Sequence, residues 1–245
     1  MKILVIPDVH LKAYMFEQAS AWMEQEQAEG AVCLMDIADD WNKEYQLQLY
    51  EDTYNAAIRF AAEWPDTKWC YGNHDLSYLW NELESGYSFM AANLVRRKLK
   101  ELEAVLPNEN KIAFMHRIDN VLFCHGGLCN EFVENFVARE KWDDVDTVID
   151  TINAFGQNRM WNDWSPIWFR PQFGQHEMYK EDILLQVVGH TPVEKIVRKN
   201  NVISCDNFSY YSNGRQMGKN EFLLIDTKTW EYRKLPADIP FTGEL

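Results

Sequence analysis

The feature that most constrains this chain is the way its apolar runs end. "KILVIPDVH", "AVCLMDIADD", "TKWCYGNHD", "NVLFCHGG" and "LLQVVGHTP" are short and rich in aliphatic, cysteine or aromatic residues, and each leads into Asp, Asn or His. Runs of this length and composition read as buried strands. In the first third of the chain they alternate with helical patterns over 15–29, 45–63 and 88–106, a spacing that implies βαβ crossovers and a largely parallel sheet. After Pro107 the pattern changes. "KIAFMHRIDNVLFCHGG" places two strands around a polar turn at Asp119-Asn120, which predicts a hairpin. Residues 130–180 read as helical and irregular with many large aromatics, and the remainder returns to strands and hairpins. Nothing rich in Gly, Ser or Pro divides the chain and no repeat is visible. The expectation is therefore one α/β domain over 1–245 with an antiparallel second half and an insertion or cap at 130–180.

Composition narrows the class. With 245 residues, 47% of them hydrophobic, the chain can bury a substantial core. No apolar run approaches the roughly 18 residues that cross a bilayer. The start, Met1 to Asp8, reads as a strand and not as a secretory signal. The five cysteines are odd in number and form no C-x-x-C pair, so buried free thiols in a reducing compartment are expected. These points predict a soluble, cytoplasmic protein. The net charge of −14 repels long polyanions. The dense basic cluster Arg96-Arg97-Lys98 with Lys100 reads as a solvated helix face, so nucleic acid is not an expected partner, whereas a small phosphorylated molecule is.

The strand ends carry the chemistry. Asp8 and His10 end the first run, Asp36, Asp39 and Asp40 the second, and Asn73, His74 and Asp75 the third. His125 and His190 end two later ones. Loops at the C-terminal ends of strands are where open α/β sheets bind ligands. Singly, each residue has a plainer reading: Asp8 as a helix N-cap, Asn73 as a turn residue, His125 as a polar loop residue. Five coincidences of ligand-type residues are hard to obtain from capping alone. Oxygen and imidazole donors without thiolate suit manganese, iron, zinc or magnesium. Asp-x-His puts both side chains on one face of an extended segment. A carboxylate such as Asp36 can bridge to a second ion, and two ions about 3.5–4 Å apart would activate a water and clamp phosphoryl oxygens.

As an ordered set, Asp8-x-His10, Asp36-x-x-Asp39, Gly72-Asn73-His74-Asp75, His125-Gly126-Gly127 and Gly189-His190 resemble the calcineurin-like metallophosphoesterases. "FCHGGL" and the single-histidine "GHTP" look closest to the phosphoprotein phosphatase branch and its bacterial relatives. The resemblance implies an αββα sandwich with mixed sheets flanked by helices and a dimetal site at the strand C-terminal ends. It implies two divalent ions, manganese first, with iron, zinc or magnesium as alternatives. One would be held by Asp8, His10 and Asp36, the other by Asp36, Asn73, His125 and His190. His74 would be the general acid, oriented by Asp39, and Arg170 in "SPIWFRP" a phosphate-binding residue. Asp75 reads as a helix cap. The implied activity is hydrolysis of phosphoric esters, on a small phosphorylated substrate or a phosphoprotein. The alternatives are cleavage of dinucleoside polyphosphates or other nucleotides, and a non-catalytic metal-binding scaffold. Three positions depart from the family pattern. Met35 stands where glycine is usual, Asp40 where the phosphatase branch has arginine, and Pro192 where many branches have a second histidine. Phe155, Trp161, Trp164, Trp168, Phe169 and Phe173 are expected to pack a cap, with a nucleobase platform as the other use.

Overall fold

The computed structural model describes residues 1–107, 111–174 and 176–237, so the end of the 1–245 reading lies outside the described residues. Strands β1 (Lys2–Ile6), β2 (Gly30–Cys33) and β3 (Lys68–Trp69) are separated by helices α1 (Tyr14–Glu26) and α2 (Leu47–Glu63). They are parallel neighbours, as the alternation predicts. Helices α3 (Asn73–Trp80) and α4 (Ala92–Val105) follow, then β4 (Met115–Ile118) and β5 (Val121–Cys124), the hairpin expected around Asp119-Asn120. Helices α5 (Asn130–Phe136), α6 (Val145–Asn153) and α7 (Gln157–Met160) occupy the aromatic-rich region. The described residues close with β6 (Leu185–Val188), β7 (Val197–Lys199), β8 (Val202–Ser204), β9 (Glu221–Asp226) and β10 (Tyr232–Pro236).

The strands form two mixed five-stranded sheets, in the orders β10-β9-β1-β2-β3 and β4-β5-β6-β8-β7. Side-chain alternation shows how the layers stack. In β1, Leu4 and Ile6 join the core beneath α1, α2 and α4, while Ile3 and Val5 face the second sheet. In β5, Val121 and Phe123 meet them from the other side, while Leu122 and Cys124 pack under α5 and α6. The inner strands β1, β2, β5, β6 and β8 are covered on both faces, so they read as continuous apolar runs instead of alternating ones, while the edge strands β7 and β10 are largely exposed. The helices use the complementary period: in α6, Val145, Val148, Ile149 and Ile152 are buried, and Asp144 caps the first turn through Asp146 N and Thr147 N.

Three expectations need correction. The second half is mixed instead of antiparallel throughout: β4, β7, β9 and β10 pair antiparallel with their neighbours, whereas β5, β6 and β8 run parallel to one another. The parallel members are joined through long connections that the sequence pattern did not distinguish from hairpins. Helix α3 starts directly on the Asn73-His74-Asp75 motif, where no separate helix was foreseen, and α4 begins at Ala92, later than expected. The basic cluster is not simply a solvated face. Lys98 is buried and donates to Asn55 Oδ1 at 2.8 Å and Glu101 Oε2 at 2.7 Å. All five cysteines are free and buried. No helix among the described residues is long and apolar enough to cross a membrane.

Candidate metal and catalytic site

The loops leaving β1 and β2 stay paired beyond the strands. Val9, His10 and Leu11 donate their N–H groups to the carbonyls of Met35, Asp36 and Ile37. This register brings Asp8 and His10 beside Asp36. Helix α1 starts well past Asp8, with Ala13 at its N-cap position and no side-chain cap, so Asp8 does not serve as a cap. Asp75 does cap: it lies in the first turn of α3 and accepts Gly72 N at 3.3 Å, and it also accepts Ile37 N at 3.1 Å, tying α3 to the β2 loop.

From the second sheet, β5 delivers His125 and β6 delivers His190. His125 carries a proton on Nδ1, which donates to the Leu34 carbonyl at 2.9 Å. Its Nε2 then lies 3.0 Å from Asp36 Oδ2 and 3.1 Å from Asn73 Oδ1. His10 is anchored in the same way, by Nδ1 on the Asp39 carbonyl at 2.9 Å. Fixing one ring nitrogen on a carbonyl leaves the other as the donor atom, the usual arrangement for a ligating imidazole. Asp8 Oδ2 accepts His190 N at 2.8 Å, whereas Asp8 Oδ1 and His190 Nε2 are buried without a hydrogen-bond partner. The donor atoms of Asp8, His10 and Asp36 lie within 4.8 Å of one another, as do those of Asp36, His125 and His190. Unpartnered buried acceptors converging on common points are what a divalent cation satisfies. All six expected ligand residues are thus gathered, and they fit two cations sharing Asp36.

Two glycines make the approach possible. A Cβ on Gly72 would sit 1.9 Å from Asp36 Oδ1, and one on Gly189 would sit 1.9 Å from Asp8 Oδ1. Backbone strain concentrates here as well: His10, Asp36, Asp39 and His190 have φ of 43°, 43°, 66° and 61°. Left-handed non-glycine residues cluster where a site must aim its side chains. Met35 has φ 55°, the conformation that favours glycine, and its side chain is fully buried in the core. Its apolar burial offsets a conformational cost of about 1–2 kcal/mol.

In the absence of a cation the site is electrostatically polarised. Burial and the nearby Asp206 push the Asp8 carboxyl well up. Burial also pushes Asp36 up, but the imidazoles of His125, His74 and His10 more than offset it and hold Asp36 low. Burial pulls His10 down to about 4 and His190 well below its ordinary value. His125 and His74 go the other way, to about 10 and about 9: burial opposes the charge, but Asp36 outweighs it, with Asp8 adding to His125 and Asp39 to His74.

His74 lies beside the ligand cluster on α3. Its Nδ1 is 3.1 Å from Asp39 Oδ2, its backbone N–H donates to Asp36 Oδ1 at 2.9 Å, and its ring meets His10 edge-on at 5.3 Å. The ring lines a pocket of about 350 Å³ together with Asp36, Asp39, Asn73 and His190. Arg170 lines it too, and is the single Arg or Lys among the described residues that does. Its Nη1 donates to the His190 carbonyl at 3.1 Å and to Thr191 Oγ1 at 3.2 Å. Asp40 is paired with buried Lys12 at 3.3 Å, so the charge reversal at this position has its own counter-ion. Of the aromatic set, Trp168 alone lines the pocket, edge-on to His190 at 5.3 Å. Phe155, Trp161 and Phe169 pack with the second core, and Trp164 and Phe173 are exposed.

Four residues at the site carried no label in the sequence reading. Asp206 is buried in the pocket wall and follows β8 by two positions, so the strand-end rule extends to it. Lys12, Tyr50 and Tyr78 gave no such signal, because a lysine near a strand end and tyrosines on helices ordinarily mean surface and core.

Two mixed sheets flanked by helices, with acid, amide and imidazole groups gathered at the strand ends, match the fold of the calcineurin-like phosphoesterases. Residues 1–194 match the family of calcineurin-like phosphoesterases, and the chain belongs to it. That family works with divalent cations. No curated protein matches the chain. The fold is similar to the crystal structure of a cold-active protein-tyrosine phosphatase of a psychrophile, Shewanella sp., at 19% identity, over 96% of this chain and 80% of that one, with a TM-score of 0.56. It is also similar to a mutant of a cold-active protein tyrosine phosphatase, at 19% identity over 96% and 80% of the two chains, with a TM-score of 0.51.

Proposed function

We propose that the chain is a single metallophosphoesterase domain that hydrolyses phosphoric monoesters, with His74 as general acid. The observation that carries this reading is the Asp39–His74 pair standing beside the gathered ligand atoms, in the wall of a pocket sized for a small phosphorylated group. Asp8, His10 and Asp36 would hold one cation, and Asp36, Asn73, His125 and His190 the other. When bound, such a pair supplies an activated water at neutral pH and neutralises the phosphoryl oxygens. Arg170 would bind a phosphate oxygen, since Asp40 and Glu84 in the same wall repel it. Asp39 holds His74 by Nδ1, so Nε2 is the nitrogen available to give a proton to the departing alkoxide.

An alkoxide is a poor leaving group, and a positioned acid contributes about 10²–10⁴-fold. A nucleotide leaving from an anhydride needs less help. His74→Ala in metal-replete protein is therefore expected to lose about 10²–10⁴-fold on an alkyl phosphate and less than about tenfold on diadenosine tetraphosphate. Equal losses on both would remove His74 from the acid role. The same panel, with a phosphopeptide, a mononucleotide and an aryl diester added, addresses the substrate. Exposed Trp41 and Tyr211 at the pocket wall offer ring faces to a nucleobase, which keeps the nucleotide reading as the second choice. The Lys12–Asp40 pair gives Asp40 a structural use that does not depend on the chain being a non-catalytic scaffold.

A further inference from the structure

Asp39 sits at the centre of a hydrogen-bond arrangement that neither the motif nor the ligand set requires. Its carboxylate is 1% exposed. Oδ2 faces His74 Nδ1 at 3.1 Å, and Oδ1 accepts two phenols, Tyr50 O–H at 2.9 Å and Tyr78 O–H at 2.5 Å. Both tyrosines are fully buried, Tyr50 on α2 and Tyr78 on α3. Tyr78 is itself fixed: its oxygen accepts Ser88 N at 2.8 Å and its ring stacks on Tyr87 at 4.3 Å. Burial, with the neighbouring carboxylate, raises both phenols, so they stay protonated donors.

We propose that Tyr50 and Tyr78 are positioning residues for the proton-donating step: together they pin the Asp39 carboxylate so that Oδ2 alone is left to hold His74. The inference rests on His74 being the general acid. The physical reasoning is one of charge and direction. An arginine or lysine on Oδ1 would orient the carboxylate equally well, but would cancel the charge that holds the imidazole. Two neutral O–H donors satisfy a buried anion without a counter-ion, and a phenol on a packed helix has almost no freedom to follow a rotating carboxylate. With the phenolic hydroxyls removed, Asp39 can turn and His74 loses its fixed partner, while Asp36, Asn73 and His125 keep their geometry.

The test is a leaving-group series of phosphate monoesters, from p-nitrophenyl through phenyl to alkyl. It is run on metal-replete wild type, His74→Ala, Tyr50→Phe, Tyr78→Phe and the double Phe variant, with bound metal measured on each. The double variant is expected to lose about 10–100-fold in kcat on the alkyl ester and less than about threefold on p-nitrophenyl phosphate, with KM and metal content unchanged. Each single variant should show the same slope at smaller amplitude, which keeps the test intact if the double variant fails to fold. A loss uniform across the series, or no loss, in tyrosine variants whose His74→Ala counterpart shows the slope would overturn the positioning role alone. A flat series for His74→Ala would overturn the general acid, and the tyrosine role with it.

Discussion

At the scale of single residues, the site is built by close approach. Gly189 lets the Asp8 carboxylate lie where a Cβ would stand, 1.9 Å from Oδ1. Gly189→Ala therefore has to turn Asp8 away from His10 and Asp36, or shift the backbone that carries His190, whose N–H bonds Asp8 Oδ2 at 2.8 Å. The expected result is a loss of about one bound ion per chain, measured by elemental analysis after dialysis against a stated free manganese concentration. Full metal content in the variant would show that Asp8 does not hold a cation. Met35 shows the opposite compromise: a left-handed position kept by a long apolar side chain because that side chain is core.

At the scale of elements, the two sheets are stitched together near β3 and β4. The Trp69 carbonyl accepts both Ala113 N at 3.0 Å and His116 Nε2 at 3.0 Å, and Tyr71 N donates to the Ala113 carbonyl at 2.9 Å. His116 must be neutral with its proton on Nε2 for this bond, and burial pulls its pKa down to about 4. An unfolded histidine titrates near 6.5, so between those two values the unfolded chain binds more protons than the folded one. The stability this gives is complete above about pH 6.5 and is lost as pH falls through the window to about 4. Partial exposure of the ring limits it to about 1–3 kcal/mol. His116→Gln keeps an N–H donor and removes the titration. Urea unfolding of both proteins at several pH values should show a flatter decline for the glutamine variant over that window. Parallel curves would mean that His116 titrates normally in the folded chain.

At the scale of the whole molecule, the site belongs to neither sheet. Asp8, Asp36 and Asn73 come from the ends of β1, β2 and β3, His125 and His190 from β5 and β6, and the two groups meet through His125 Nε2 on Asp36 Oδ2 and His190 N on Asp8 Oδ2. Cation binding should therefore couple to global stability. A ligand bound only by the folded chain at about 100 times its Kd adds about 2.7 kcal/mol, worth roughly 5–10 °C in Tm for a chain of this size. Chelated protein is expected to melt lower by that amount, and titration with manganese should raise Tm in a concentration-dependent way. A Tm indifferent to chelator and manganese alike would sink the two-cation reading. The bonds of Tyr50 and Tyr78 to Asp39 tie α2 and α3 to His74, so under the proposed general-acid role both helices must be docked for His74 to be held.

Much of this was readable in the linear order. Apolar runs of strand length, helix-period segments between them and a polar residue at each run's end are local properties, and they sufficed for β1–β3, the β4–β5 hairpin and for singling out the acid, amide and imidazole residues that the fold gathers; a role for each came only with the family resemblance. Direction and depth were not readable. Whether β6 and β8 run with β5 or against it depends on how far the connections travel. Nothing local separates a helix tyrosine that fills a core from one that grips a buried carboxylate, as Tyr50 and Tyr78 do. Hydrogen bonds between residues decades apart in the chain exist only after the sheets have stacked, because only stacking removes the water that would otherwise satisfy those groups one by one.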